Sequence, residues 1–474
     1  MFTEENLKIL PMESLLTPAA GRAGMAEAPA GESPVAGAAQ SPRDAWFERA
    51  KAVMPWGVSS NFRYWGPDDT MVVARSKGAH LWDVNDKRYI DYRLGFGPVI
   101  LGHAHPAVMQ TVIDAMQDGN TFALTNVHEI RAAERICRMT GAGKVRFTNS
   151  GSESTMHALR IARAHTNRER FIKFEGSYHG AHDHVMWSTP TAPVSALGSR
   201  RSPIPVPSSS GIPNALRDRV IPLPFNDFEM LERTVRDHGG DIAAIMVEPM
   251  MGNMASIMPA KGWLEHIRKM CDEHGIVMIM DEVKTGFRIA PGGAQQFFGV
   301  KADLVTYAKA LGNGFPIGAI AGTDDVMMTI EPGAVGQGGT YCGNVVSVAA
   351  AEATLRVMET EPVFETIHAR GMALMAGFHE ILNRHDVPHA ITGVPALFGV
   401  IISNGGKDMP RDYRTAMKFS NDELSSAITA GLRARGILPD PDYQEPWFMC
   451  YAHSEHDIAE TLTVYEDVVR EVTK

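Results

Sequence analysis

Between residues 144 and 307 the chain alternates short apolar runs with helical patterns. The runs cover 144–148, 171–174, 242–247, 276–280 and 304–307. Helical spacing of apolar residues marks 153–165 and 263–274. Runs of this length match strands, and one such as Ile-Val-Met-Ile-Met at 276–280 has no polar face to offer water. Strands buried on both faces and separated by helices form a largely parallel sheet, because parallel neighbours need a long crossover between them. The pattern predicts an α/β fold with a mostly parallel central sheet. In an open sheet of that kind, ligands bind beyond the carboxyl ends of the strands.

A chain of 474 residues exceeds what one small core organises. Four parts are expected: a leader over 1–44, the N-terminal part of a small domain over 45–104, a large ligand-binding domain over 105–345, and the C-terminal part of the small α+β domain over 346–474. The leader is nearly all Ala, Gly, Pro, Ser and Glu from 17 to 41, and buries too little to offset its ordering entropy. Asn85-Asp86 between two apolar-aromatic runs predicts a hairpin within 79–92. The Pro/Ser/Gly-rich stretch 188–216 interrupts the alternation and is expected to be a lid or interface loop. Long helical patterns and a short strand near 398–402 close the chain.

Charge and cysteine usage act by exclusion. A net charge of −10 and a pI near 6.0 supply no general basic surface for nucleic-acid phosphates. No apolar stretch is long enough to span a bilayer. Cys137, Cys271, Cys342 and Cys450 are scattered and form no CxxC pair, the pattern of reduced thiols. The N-terminus carries Glu4 and Glu5 and no basic start followed by an apolar run, so a cytoplasmic setting is expected.

Four features fall where the strands end. Asn149-Ser150-Gly151-Ser152-Glu153 leaves a strand and opens a helix, where free N–H groups favour an anion and Gly151 lets the backbone approach a phosphate. The same turn is equally consistent with a simple serine N-cap. Asp281 follows a fully apolar run, so its carboxylate needs a partner. A protonated pyridine nitrogen would serve, as would a helix cap or an arginine. Lys309 follows the run 304–307, and its apolar flanks favour the neutral amine that imine formation requires. A lone lysine is usually a solvated surface charge, but the Gly-rich turn Gly312-Asn313-Gly314 argues against an exposed helix here. Tyr178, in Tyr178-His179-Gly180, offers a ring to stack on a flat ligand, or else simply joins the core.

In order and spacing this set resembles the class III aminotransferases, which are fold-type I pyridoxal-phosphate enzymes. Within them it is most similar to the glutamate-1-semialdehyde 2,1-aminomutases and their transaminase relatives. The resemblance extends from about residue 45 to the C-terminus. It rests on Gly102-His103-Ala104-His105-Pro106, the NSGSE run, Phe174-Glu175-Gly176-Ser177-Tyr178-His179-Gly180, Glu248-Pro249 with Gly252-Asn253, Asp281-Glu282-Val283 with Thr285-Gly286-Phe287-Arg288, Lys309, and Gly339-Thr340.

The resemblance implies pyridoxal 5′-phosphate held by Lys309 as a Schiff base. Asp281 would pair with the ring nitrogen, Val283 press one ring face, Tyr178 stack on the other, and Asn253 lie near the edge. Ser150, Gly151 and Ser152 would hold the phosphate, with Thr340 contributing from a second copy in a homodimer. The implied reaction moves an amino group between an amine or amino acid and a keto compound; the alternative is intramolecular amino exchange giving 5-aminolevulinate. Its partners would be small molecules, with no nucleic acid and no membrane.

Arg63, in Gly57-Val58-Ser59-Ser60-Asn61-Phe62-Arg63, resembles the aminomutase arginine that binds a substrate carboxylate. Glu445 falls where aminomutases carry a Glu and many transaminases an Arg, and is expected to repel a carboxylate there. A surface ion pair would account for either residue equally simply. Gly95-Phe96 departs from the usual aminomutase Trp and Thr, Val345 replaces a usual Pro, and the segment 188–216 matches poorly. Two rival classes make different demands. A metal hydrolase would need His103, His105, His179, His182 and His184 to converge with carboxylates. A binding protein that merely kept the fold would be expected to lose Lys309 or Asp281.

Overall fold

A computed structural model describes residues 41–331, 333–406 and 409–474. The expected leader lies outside the described residues up to position 40. Its last three residues already belong to the helix Pro42–Val53, where Ser41 caps the N-terminus by accepting from the Asp44 N–H at 3.2 Å.

The early strands are β1 (Val73–Lys77), β2 (His80–Asp83) and β3 (Arg88–Asp91). β2 and β3 form the expected antiparallel hairpin, with Asp86 at φ +63° in its turn and Asp83 Oδ1 accepting from the N–H groups of Asn85 and Lys87. The middle of the chain supplies β4 (Lys144–Thr148), β5 (Arg170–Phe174), the short pair β6 (Gly198–Ser199) and β7 (Ser202–Pro203), then β8 (Val220–Leu223), β9 (Ile242–Val247), β10 (Val277–Asp281), β11 (Leu304–Tyr307) and β12 (Gly318–Gly322). The last strands are β13 (His389–Val394), β14 (Leu397–Ile402), β15 (Ile437–Leu438) and β16 (Trp447–Phe448).

Seven strands make the central sheet in the order β4-β12-β11-β10-β9-β5-β8. Only β12 runs antiparallel to its neighbours. All residues of β9, β10 and β11 are buried, as strands covered on both faces must be. The helices Gly151–Thr166 and Trp263–His274 occupy the expected positions. β12 carries only small residues and one isoleucine because helix Gly151–Thr166 presses on it: a Cβ at Gly318 would lie 2.5 Å from the hydroxyls of Ser154 and Thr148. β15 pairs in parallel with β3, so a late segment completes a sheet begun near the N-terminus.

The stretch 188–216 is irregular but strapped down. Tyr413 Oη donates to the carbonyls of Pro190 and Ala192, and Arg414 to those of Leu197 and Gly198 while also forking onto Glu175 at 2.7 Å. Arg200 bridges Asp227 and Asp412.

Arg288 is buried and, among the described residues, has no carboxylate partner. Its guanidinium donates to the carbonyls of Gly97, Ala396 and Met449, and lies 5.3 Å from the centre of the Phe448 ring. Burial brings it down to about 10. Three distant segments share this one cation. Each buried carbonyl that loses its donor costs roughly 1–3 kcal/mol, so Arg288→Met should lower the unfolding free energy by about 3 kcal/mol. Urea unfolding measures it, and a loss below about 1 kcal/mol would show that the carbonyls find other donors.

Candidate active site

The carboxyl ends of β4, β5, β9, β10 and β11 converge on one cleft. After β4, Ser150 N-caps helix Gly151–Thr166, its Oγ accepting from the Glu153 N–H at 3.2 Å. Helix geometry leaves the N–H groups of Gly151 and Ser152 without partners inside the helix. Ser152 Oγ accepts from the Ala181 N–H at 3.0 Å, so its own proton is available to an anion. A Cβ on Gly151 would meet both γ-carbons of Val283 at 3.0 Å; glycine lets the phosphate-type turn and the strand end close up.

Asp281 is the last residue of β10 and is buried. Oδ2 accepts from His179 Nδ1 at 2.7 Å, and Oδ1 from Thr306 Oγ1 at 2.9 Å and the Val283 N–H at 3.1 Å. Three donors leave one of a carboxylate's roughly four acceptor directions open. His179 Nε2 is buried with no hydrogen-bond partner among the described residues. The loop after β5 that carries His179 also carries Tyr178, half-buried, whose ring meets Phe62 edge-on with centroids 6.1 Å apart. Beneath it Glu248 accepts from the Tyr178 N–H at 2.8 Å and from Asn253 Nδ2 at 3.0 Å, and burial raises its pKa.

Lys309 follows β11 with φ +44°, a left-handed conformation uncommon for a side chain of this size. Burial in the cleft, and then the neighbouring Lys284 ammonium, push its amine down to about 7. Glu445 belongs to this cleft too, but not as a free anion: Lys284 Nζ lies 2.6 Å from its Oε2. The expected repulsion of a carboxylate by Glu445 is therefore offset by a cation beside it.

The structure thus brings Ser150, Gly151, Ser152, Tyr178, Asn253, Asp281, Val283, Lys309 and Glu445 to one cleft. Arg63 and Thr340 stand apart. Both are exposed, and their side chains make no hydrogen bond or ion pair among the described residues. His179, Glu248 and Lys284 are further candidates to which the sequence reading gave no role toward the cofactor. His179 and Glu248 lie within the motifs that carry the resemblance, and Lys284 stands as a lone charge between Val283 and Thr285-Gly286-Phe287. The histidines expected of a metal site do not converge with carboxylates on one point: His103 binds Asp91, His179 binds Asp281, and His182, beside His184, faces Thr155. Among the described residues no group of three or more His, Cys, Asp or Glu is placed to hold a metal ion.

The cleft fits pyridoxal 5′-phosphate: a helix N-terminus with unpaired N–H groups for the phosphate, an open acceptor on Asp281 for the ring nitrogen, and an amine near neutrality. A lysine lowered to about 7 reacts as the free amine at physiological pH. Labelling of cofactor-free protein with an amine reagent, followed by mass spectrometry, should show Lys309 reactivity rising as pH passes about 7, while exposed lysines lag by roughly three pH units. Co-titration of Lys309 with exposed lysines would contradict the burial argument.

Residues 64–446 match the family described as aminotransferase class III. Glutamate-1-semialdehyde 2,1-aminomutase of Methanothermobacter thermautotrophicus is 41% identical over 425 residues, which are 89% of this chain and 97% of that one. The crystal structure of an omega-transaminase from Sphaerobacter thermophilus superposes with a TM-score of 0.85 at 31% identity, covering 92% of this chain and 98% of that chain. A transaminase with PLP bound gives a TM-score of 0.81 at 28% identity, covering 90% and 97%. A cleft suited to this cofactor, on a fold shared nearly end to end with these proteins, has one origin: the chain belongs to the pyridoxal-phosphate-dependent class III aminotransferases.

Proposed function

We propose that the protein transfers an amino group between an amine or amino acid and a keto compound, with Lys309 as its catalytic residue. The observation that carries this reading is the Lys309 amine, held near neutrality at the end of β11 in the cleft that Asp281 closes. Pyridoxal 5′-phosphate, when bound, supplies an electron sink for the bond broken at the substrate carbon. Lys309 Nζ binds it and moves the proton at that carbon. Asp281, oriented by His179 and Thr306, holds the proton on the ring nitrogen. Val283 and Tyr178 would flank the ring, Asn253 would border it, and Ser150, Gly151 and Ser152 would bind the phosphate.

Intramolecular exchange is the second reading, favoured by the 41% identical aminomutase relative. Amino donors assayed against pyruvate and 2-oxoglutarate, beside glutamate 1-semialdehyde, separate the two.

A homodimer is part of the proposal. Met109, Ile113 and Met116 on helix Pro106–Gln117, with Phe122, Leu124 and Val127 beyond it, leave an apolar face in water. Exposed Thr340 is free to reach the phosphate site of a second copy. The four cysteines, all free thiols, support a cytoplasmic setting.

Arg63, exposed and without an ion-pair partner among the described residues, is the proposed grip on a substrate carboxylate. Two outcomes check these assignments. Lys309→Ala should lose nearly all turnover yet still bind the cofactor; an active variant would end the reading. Arg63→Ala should raise KM roughly ten- to hundredfold for carboxylate substrates, the equivalent of about 1.5–3 kcal/mol, and leave simple amines unaffected. Equal losses for both would assign Arg63 to the fold or the dimer.

A further inference from the structure

Lys284 is 5% exposed and Glu445 20%, and their charged atoms lie 2.6 Å apart. Lys284 also donates to the Gly252 carbonyl at 2.8 Å. Its stem runs where a side chain at position 252 would sit, since a Cβ there would fall 2.8 Å from Lys284 Cδ. The ammonium is thus seated in a built slot, with the Phe448 ring centre 5.7 Å away.

The pair lies within electrostatic reach of the proposed reacting groups. Lys284 adjoins Val283, and Gly252 adjoins Asn253. Both charges act on the Lys309 amine, and Glu445 also acts on the Tyr178 hydroxyl, raising it after burial does. Charges this poorly solvated act strongly on whatever approaches, and an unpaired one is worth far more than a pair. Together they sum to zero.

We infer that Lys284 is a specificity-determining residue: by neutralising Glu445 it makes this end of the cleft admit an uncharged substrate arm. The inference rests on the proposed aminotransferase reading and refines its substrate class: a carboxylate toward Arg63 and a neutral arm toward Lys284 and Glu445. Either partner alone imposes a charge preference, and the two preferences are opposite. Without Lys284, a bare Glu445 turns away an anionic arm. Without Glu445, a bare Lys284 attracts one.

Glutarate and its monoamide, glutaramate, differ only in the charge at one end and carry no amine to react. Their dissociation constants on the holoenzyme, measured by calorimetry, give a selectivity ratio that does not depend on turnover. Glu445→Gln should move the ratio about tenfold toward glutarate, and Lys284→Met about tenfold toward glutaramate. Should the methionine variant not fold, Lys284→Gln keeps a donor for the Gly252 carbonyl and serves in its place. A purely structural pair would weaken both ligands equally. Opposite shifts of about threefold or more sustain the inference, and any other result overturns it. The underlying reading is checked separately on wild type: if no amine discharges the yellow colour of the holoenzyme, the aminotransferase assignment fails, whatever the ratio.

Discussion

The carbonyls of Gly97, Ala396 and Met449 converge on the guanidinium of Arg288, and the geometry of the cleft depends on that convergence. A buried cation without a carboxylate is tolerated only when neutral acceptors surround it. Here the acceptors come from a segment near the N-terminus and two near the C-terminus, while the cation sits on the loop leaving β10. The loop therefore fixes where both ends of the chain meet the central sheet. Gly97 is the last of four consecutive residues at positive φ, Leu94 to Gly97, and this contorted turn presents Phe96 beside Phe62.

The same loop carries Asp281, Val283, Lys284 and Arg288 within eight residues, each facing a different partner. Asp281 looks toward β5 through His179, Val283 toward the helix N-terminus through Gly151, and Lys284 toward the C-terminal segment through Glu445. Such a loop ties the helix N-terminus after β4, the loop after β5 and the C-terminal segment to the end of β10. Glu248 adds a second tie, joining the Tyr178 backbone to Asn253.

Local pattern made much of this legible. Strands β5, β9, β10 and β11 announce themselves as apolar runs because both faces of each are buried, while β4, at the sheet edge, keeps an exposed face and is marked by the turn that follows it. β12 does not: Gly318 and Gly322 at its ends are dictated by close neighbours, Ser154 and Thr148 at one end and Asp303 and Leu304 at the other, and small residues carry no period. β8 is short, contains Pro222 and follows a 3-10 turn over Asn214–Arg219, so its four residues carry little strand signal. The positions of Lys309 and Asp281 at strand ends were readable from neighbouring residues. The ion pair of Lys284 with Glu445 spans 161 residues and the bond from His179 to Asp281 spans 102, so no local spacing encodes either. Arg63 and Glu445 were singled out by resemblance, and resemblance says nothing of the cation beside Glu445.

Lys309 pairs a left-handed backbone with a lowered amine, and both work against stability. Holding such a residue there costs on the order of 1–3 kcal/mol, borne by the rest of the molecule. Glycine at this position would relax the chain and shed the desolvated amine at once. A laboratory search for heat-resistant variants, run without a demand for turnover, would therefore tend to empty this position, and on the proposed assignment the hardiest descendants would be colourless.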